Sequence, residues 1–467
     1  MNMNATARIS LWLCALVGLA PVAQGQQQTF SPYSEYGVGE LANPAGSRYF
    51  GMYGVGITGG DPFSVNTVNP ASWGQVRTTT LDFSLQLRSS QVRTTTVDEA
   101  FGTGGLQGLA FVFSKPKANF GASAGLLPYS NVGYEVRRVV TVPDENGTRQ
   151  MVTHHEGRGG LTNFYVGAGG RLPKLPVYVG GQLSYLFGAV RNTYTSGFAT
   201  TVSTTNPLGI QPATQTEVYR TAAYSGLFGK VGVLYRDTLF RTRVLPPDSA
   251  STARERSRYQ RRKVENLSPN FLRLGLIWEQ PMLGRSDRDL VVVGSSGGGF
   301  FNAVDTLDKS PQASVTFPFT VGFGVALERE MRYFVGLDVT YQNWSAFAID
   351  DRSQGLQNVL RVALGSEWIP NRNPLNLNAP LLSRIAWRAG LGYEQSYLRI
   401  NDRAITAFGA SLGMGLPISK VSSNRVNFGI QWQRRGTTAD NLVQEDNLRL
   451  LLGISFSELW YSPRKYQ

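Results

Sequence analysis

From about residue 78 to the end of the chain, apolar and polar residues alternate with period two in stretches of roughly ten residues, the pattern of strands with one apolar and one polar face. Leu81, Phe83, Leu85 and Leu87 oppose Asp82, Ser84, Gln86 and Arg88. Tyr333, Val335, Leu337, Val339 and Tyr341 oppose Phe334, Gly336, Asp338, Thr340 and Gln342, and the stretches around Trp387, Phe428 and Leu450 read the same way. Strands of soluble sandwiches average about five or six residues, whereas about ten tilted residues cross a bilayer. The length and the clean alternation therefore predict an all-β fold, a transmembrane antiparallel β-barrel with lipid on one face of each strand and the lumen on the other. Aromatic strand ends such as Tyr341 with Trp344, Trp368, and Tyr393 with Tyr397 match interfacial girdles.

Helical spanning is excluded by the same scan. The longest uncharged apolar run, residues 11–22, has roughly twelve residues where a spanning helix takes about 20. A chain that is 42% hydrophobic with a mean hydropathy of -0.17, yet carries 52 Gly, 20 Tyr and 24 Phe, suits a barrel in which only alternate residues meet lipid. Arg8, the run 11–22 and the small-x-small sequence Ala23-Gln24-Gly25 read as a secretory signal, residues 1–25, cleaved before Gln26. The only cysteine, Cys14, lies inside it, so the mature protein has no disulfide and no thiolate chemistry. The expected location is the cell outer membrane, with outer-membrane lipid as the surrounding partner.

Breakers and alternation divide residues 78–467 into about fourteen strands, starting near Thr78, Gly104, Asn119, Gly159, Val177, Glu217, Asn270, Val315, Arg332, Asn358, Arg384, Arg403, Arg425 and Asn447. With both termini periplasmic, long external loops are expected at 90–103, 140–158, 191–216 and 281–314. Two periplasmic connections, 237–269 and 370–383, are also long. The first holds a basic, helix-permissive stretch from Arg254 to Lys263, a contact element for an envelope protein partner. Residues 26–77 lack alternation but hold Phe30, Tyr33, Tyr36, Tyr49, Phe50, Phe63 and Trp73. So many aromatic residues favour a plug inside the barrel over an unstructured periplasmic tail.

The net charge of +13 and pI near 9.8 come from Lys and Arg scattered through strands and loops, which points away from nucleic acid and toward a lumen or rim that prefers anions. The two histidines, His154 and His155, are adjacent in an expected surface loop, and no nucleophile motif such as G-x-S-x-G occurs. Neither an enzyme nor a metal or cofactor site is expected. Gly294 to Gly299 lacks the lysine of a phosphate loop and reads as loop flexibility.

The stretch from Gly51 to Ser72, with Asp61 and the Asn69-Pro70-Ala71 motif, resembles the N-terminal hatch of the FadL/TodX family of outer-membrane hydrophobic-compound transporters. Asp338-Val-Thr-Tyr341-Gln-Asn-Trp344 is similar to that family's Asp-x-x-Tyr-x-x-Trp strand, and 361–368 with 387–393 to its paired late strands. The resemblance implies a hatch-plugged barrel from which long-chain fatty acids or aromatic hydrocarbons leave sideways through a kink in the third strand. Gly125, Pro128 and Gly133 are the candidate gap, since proline donates no ladder hydrogen bond; Pro128 in a hairpin turn that splits one strand into two is the other reading. Candidate solute contacts are Phe30, Tyr33, Tyr36, Phe50 and Phe63, with Asp61 and Asn69 fixing hatch geometry. Gln467 at the end of the chain and the basic stretch before Pro269 depart from the family pattern. The chain also resembles the FadL-like barrels that include the secretion component PorV, which makes a barrel that docks another envelope protein the alternative to a passive transporter.

Overall fold

The computed structural model describes residues 29–43, 45–144, 147–199, 212–239, 269–296, 302–329, 332–371, 379–418 and 424–458. Residues 1–25, expected to be a secretory signal, the stretch from Arg254 to Lys263, most of the connection 370–383 before residue 379, and the tail 462–467 lie outside the described residues.

Eighteen strands follow in chain order: β1 (Glu40–Leu41), β2 (Thr79–Arg93), β3 (Asp98–Lys115), β4 (Phe120–Asp144), β5 (Gly147–Arg171), β6 (Val177–Ala199), β7 (Pro212–Thr238), β8 (Asn270–Ser296) and β9 (Asn302–Thr316). They continue as β10 (Thr320–Arg329), β11 (Tyr333–Gln342), the short pair β12 (Ala348–Ile349) and β13 (Arg352–Ser353), β14 (Val359–Trp368), β15 (Ala386–Ile400), β16 (Arg403–Pro417), β17 (Arg425–Gly436) and β18 (Gln444–Glu458). All but β1, β9, β12 and β13 form one closed antiparallel barrel of fourteen strands, as the alternation predicted. It closes where β18 pairs with β2, from Thr79↔Glu458 to Arg93↔Gln444. Closure removes the free edge strands of an open sheet, as a bilayer demands, and among the described residues leaves one unpaired stretch, between β3 and β4.

Parity along the strands sorts the side chains as expected. Leu85, Leu87, Leu276, Trp278, Phe323 and Leu450 stand exposed on the outer face, while Asp82, Arg88, Asp338, Glu367, Arg388 and Gln431 are buried on the inner one. No helix among the described residues is long and apolar enough to cross a membrane.

The expected long loops at 90–103, 140–158, 191–216 and 281–314 are corrected: most of their described residues are strand. β4 and β5 run to 25 residues and β7 and β8 to 27, while β10, β11 and β14 have 10 each. At about 3.3 Å per residue the long strands reach well beyond a bilayer. The reason is that apolar alternation reports lipid contact, not pairing. Beyond the lipid, Thr-, Val- and Tyr-rich strands keep their ladder partners while both faces turn polar. The end of the barrel away from the β2–β18 termini is thus lopsided, with a tall sheet from β4 to β9 facing a low rim.

Among the described residues the shortest ladder of the wall, and its weak seam, lies between β3 and β4. β3 pairs with β4 only from Leu109↔Leu126 to Lys115↔Phe120, whereas β3 from Asp98 to Gly108 pairs with β2 alone, and β4 from Leu127 onward with β5. Pro128 is not in a turn. β4 is continuous through it, with a bulge against β5 between Pro128 and Ser130, so the strand-splitting reading is corrected.

Candidate functional site

Residues 29–77 lie against the inward face of this wall, and polar side chains set their path. A short helix, Ser47–Phe50, places Arg48 between Asp61 and Glu367, the latter at 2.6 Å, and Glu367 also takes Arg388 at 2.7 Å. Asp338 on β11 accepts the backbone N–H groups of Gly56 and Ile57 at 2.7 and 2.8 Å. Asn69 caps the 3-10 turn Pro70–Gln75 through Ala71 N–H, and its amide donates to Ile57 O at 2.7 Å. Buried carboxylates and amides without such partners would cost several kcal/mol each, on the order of a lost buried ion pair, so these contacts fix the segment in one register.

Contact with the wall is close enough to require glycine. A Cβ added to Gly413 would stand 2.8 Å from Gly51 Cα, and one added to Gly275 would stand 2.5 Å from Ile57 O. Backbone thus packs on backbone where this segment meets the wall.

A second polar cluster lies beside the seam. Glu40 receives Arg88 at 2.6 Å, Arg435 and Arg449 at 2.8 Å each, and the Thr29 hydroxyl at 2.6 Å. Burial alone would raise the Glu40 pKa, but the three guanidinium groups outweigh it and hold the carboxyl well below its ordinary range.

The segment also closes the seam. Phe30 stacks on Phe101 of β3 with ring centroids 3.5 Å apart. On the opposite side, β1 pairs with β4 through Glu40↔Asn131 and Leu41↔Ser130, flanked by Ser31 N–H to Gly133 O at 2.7 Å and Ala42 N–H to Tyr129 O at 2.9 Å. Ser130 Oγ donates to Val38 O at 2.6 Å and Tyr397 OH to Tyr36 O at 2.9 Å. Tyr33 and Val38 join an apolar cluster in which Phe228, Phe317, Phe347, Trp344 and Tyr397 pack in sequence, so Trp344 and Tyr397, expected in an interfacial girdle, are instead buried inside.

Of the candidate solute contacts, Phe30, Tyr33 and Tyr36 therefore gather near the seam, Tyr33 buried and Tyr36 exposed. Phe50 is buried against Gly429, and the Phe63 carbonyl accepts Ser457 Oγ at 3.1 Å near the chain-terminal end of β18. Asp61 pairs with Arg48 and accepts the Phe63 N–H; Pro70 and Ala71 are buried against β5 and β6. Gly125 lies in the paired part of β4, Pro128 at the bulge, and Gly133 on the stretch that receives Ser31 and Ser34. His154 and His155 lie on β5 rather than in a loop, with His154 beside Arg137 and His155 edge-on to Tyr194.

Sequence reasoning missed Glu40, Arg435 and Arg449 as a group. A signal existed, since Arg88, Arg435 and Arg449 all occupy inward parity positions, where a guanidinium in a closed lumen needs an acid partner. Nothing in the sequence pointed to Glu40 as that acid.

A closed antiparallel barrel of fourteen strands, apolar outside and polar within, with residues of the N-terminal segment against its inward face, is the architecture of an outer-membrane-type β-barrel. The BamG family model matches residues 7–265 and 281–467, so the chain belongs to the BamG family. No curated protein matches it. Among solved structures it is similar to the toluene transporter TbuX of Ralstonia pickettii, at 14% identity over 88% of this chain and 98% of that one, with a TM-score of 0.50. The toluene transporter TodX of Pseudomonas putida is 13% identical over 91% and 100%, with a TM-score of 0.50. A FadL homologue of Pseudomonas aeruginosa is 10% identical over 89% and 98%, with a TM-score of 0.51. Identities this low establish a shared fold.

Proposed function

We propose that the barrel passes hydrophobic molecules, long-chain fatty acids or aromatic compounds, passively across the outer rim and out sideways between β3 and β4. The observation that carries this reading is the seam: above Leu126 the two strands are joined not by their own ladder but by residues 29–42. A shift of that segment would open the wall toward lipid without breaking a barrel strand. Phe30, Tyr33 and Tyr36 would meet the solute there, and Phe50 and Phe63 would meet it if the segment moved further. Each 100 Å² of apolar surface taken from water favours the bound solute by about 2.5 kcal/mol. Asp61, Asn69, Pro70 and Ala71 would hold the remainder of the segment in place during the shift. The toluene transporters and the FadL homologue that share the fold support the solute class.

The test is uptake into proteoliposomes. Purified protein in phospholipid vesicles should speed the entry of hexadecanol and toluene over protein-free vesicles, and Phe30→Ala with Tyr33→Ala should change that rate. Entry at the protein-free rate would overturn the proposal.

A further inference from the structure

We infer that Arg88, Arg435 and Arg449 form a carboxylate-binding socket, occupied here by the protein's own Glu40, and that its other ligand is an amphiphile with an alkyl or aryl body and a terminal carboxylate. This deepens the transport reading and rests on it for the direction in which the ligand moves.

The socket is built. Its three guanidinium groups come from β2, β17 and β18 and meet at one carboxylate, with Glu445 as the only other acid in ion-pair range, 3.8 Å from Arg435 among the described residues. Three positive charges thus face two negative ones, and withdrawal of Glu40 would leave a surplus of two. Arg435 and Asn447 are buried, yet Arg435 Nε and Asn447 Nδ2 carry no hydrogen bond among the described residues. Glu40 therefore satisfies the socket only in part, and a free carboxylate, unconstrained by β1, could take the remaining donors. A buried guanidinium cluster of surplus charge favours an anion strongly because water cannot compete there.

Position supplies the second half of the inference. Arg88 is paired with Thr103 of β3, and the ladder between β3 and β4 begins only at Leu109. A carboxylate held by Arg88 is then one strand spacing, about 4.8 Å, from the open edge. Its apolar body would lie where Phe30 now stacks on Phe101. Glu40 and Phe30 belong to the same segment, so one ligand would replace the polar and the aromatic closure of the seam together. An uncharged solute could replace only the second.

The experiment compares the wild type with Glu40→Ala, and with Glu40→Gln in case the first does not fold. Hexadecanoate and hexadecanol are the binding probes, with propionate as a short carboxylate in thermal unfolding. Removing Glu40 should tighten hexadecanoate binding at least tenfold and leave hexadecanol unchanged. Propionate should raise the Tm of Glu40→Ala and not that of the wild type, and adding Arg435→Gln should abolish both effects. Equal gains for acid and alcohol, or no propionate effect, would overturn the socket. If hexadecanol still enters wild-type proteoliposomes, that failure leaves the transport reading intact. Propionate rescue in a barrel that transports nothing would leave the socket and remove the transport reading.

Discussion

If residues 29–42 close the seam, tethering them should stop lateral passage, and the register offers a place to do it. Leu41 and Ser130 are directly paired across β1 and β4. Paired residues on antiparallel strands have Cα atoms about 4.5–5.5 Å apart, within disulfide reach, and the mature chain expected from the sequence has no competing thiol. Even leaving the arginine contacts of Glu40 aside, opening breaks the bonds Ser31–Gly133, Ala42–Tyr129, Ser130–Val38 and Tyr397–Tyr36 and the Phe30–Phe101 stack. At about 1 kcal/mol for each of these, opening costs about 5 kcal/mol, so fewer than about one molecule in a thousand is open at rest. Flux through so rare a state is sensitive to a covalent tether. Leu41→Cys with Ser130→Cys, oxidised, should bring hexadecanol entry into proteoliposomes down to the protein-free rate, and dithiothreitol should restore it. Phe30→Ala alone should raise entry by up to about tenfold, the equivalent of one ring stack. Wild-type entry by the oxidised double variant would show that solute does not leave between β3 and β4.

Three further outcomes follow from the lumen contacts. Gly413→Val places side-chain atoms on Gly51 and should lower stability by about 1–3 kcal/mol, read as a lower urea midpoint in detergent. Glu367→Gln leaves Arg48 and Arg388 with an uncharged partner and should cost about 3–5 kcal/mol by the same assay; an unchanged midpoint would show that Glu367 does not hold the segment. Because the folded-state pKa of Glu40 is depressed, its contribution to stability is full above the unfolded value of about 4.5 and is lost as pH falls through the folded value. The fall in Tm below that pH should therefore be shallower in Glu40→Gln than in the wild type.

Strand parity was legible in the sequence to within a few residues. The starts at Val177, Asn270, Arg403 and Arg425 coincide with the structure, because each follows a breaker and opens an alternating run. The tops of β4 to β8 were not legible, since a strand leaving the lipid loses the contrast between its faces while keeping its ladder. Pro128 marked the right neighbourhood for a different reason from the one expected. The strand bulges there without ending, and the opening comes from where β3 stops pairing, a property of two strands that no single residue announces. The Glu40 cluster was hidden because it joins residues about 400 positions apart, Glu40 with Arg435 and Arg449. In residues without periodicity, an acid that will be buried looks like any other acid.

Ser47 on the N-terminal segment donates its hydroxyl to Asp82 of β2 at 2.7 Å, and Ser455 of β18 donates to the same carboxylate at 2.7 Å. Asn427 of β17 completes the group by donating to Ser47 Oγ at 3.0 Å. These strands include the first and the last of the barrel, β2 and β18, whose ladder closes the wall. A slip of one residue in that joint would turn Ser455 from the lumen to the lipid and strip the carboxylate of a partner. A residue of the N-terminal segment is thereby matched to one register of the joint between β2 and β18. In a barrel shifted by one residue, Asp82 would keep Ser47 and lose Ser455.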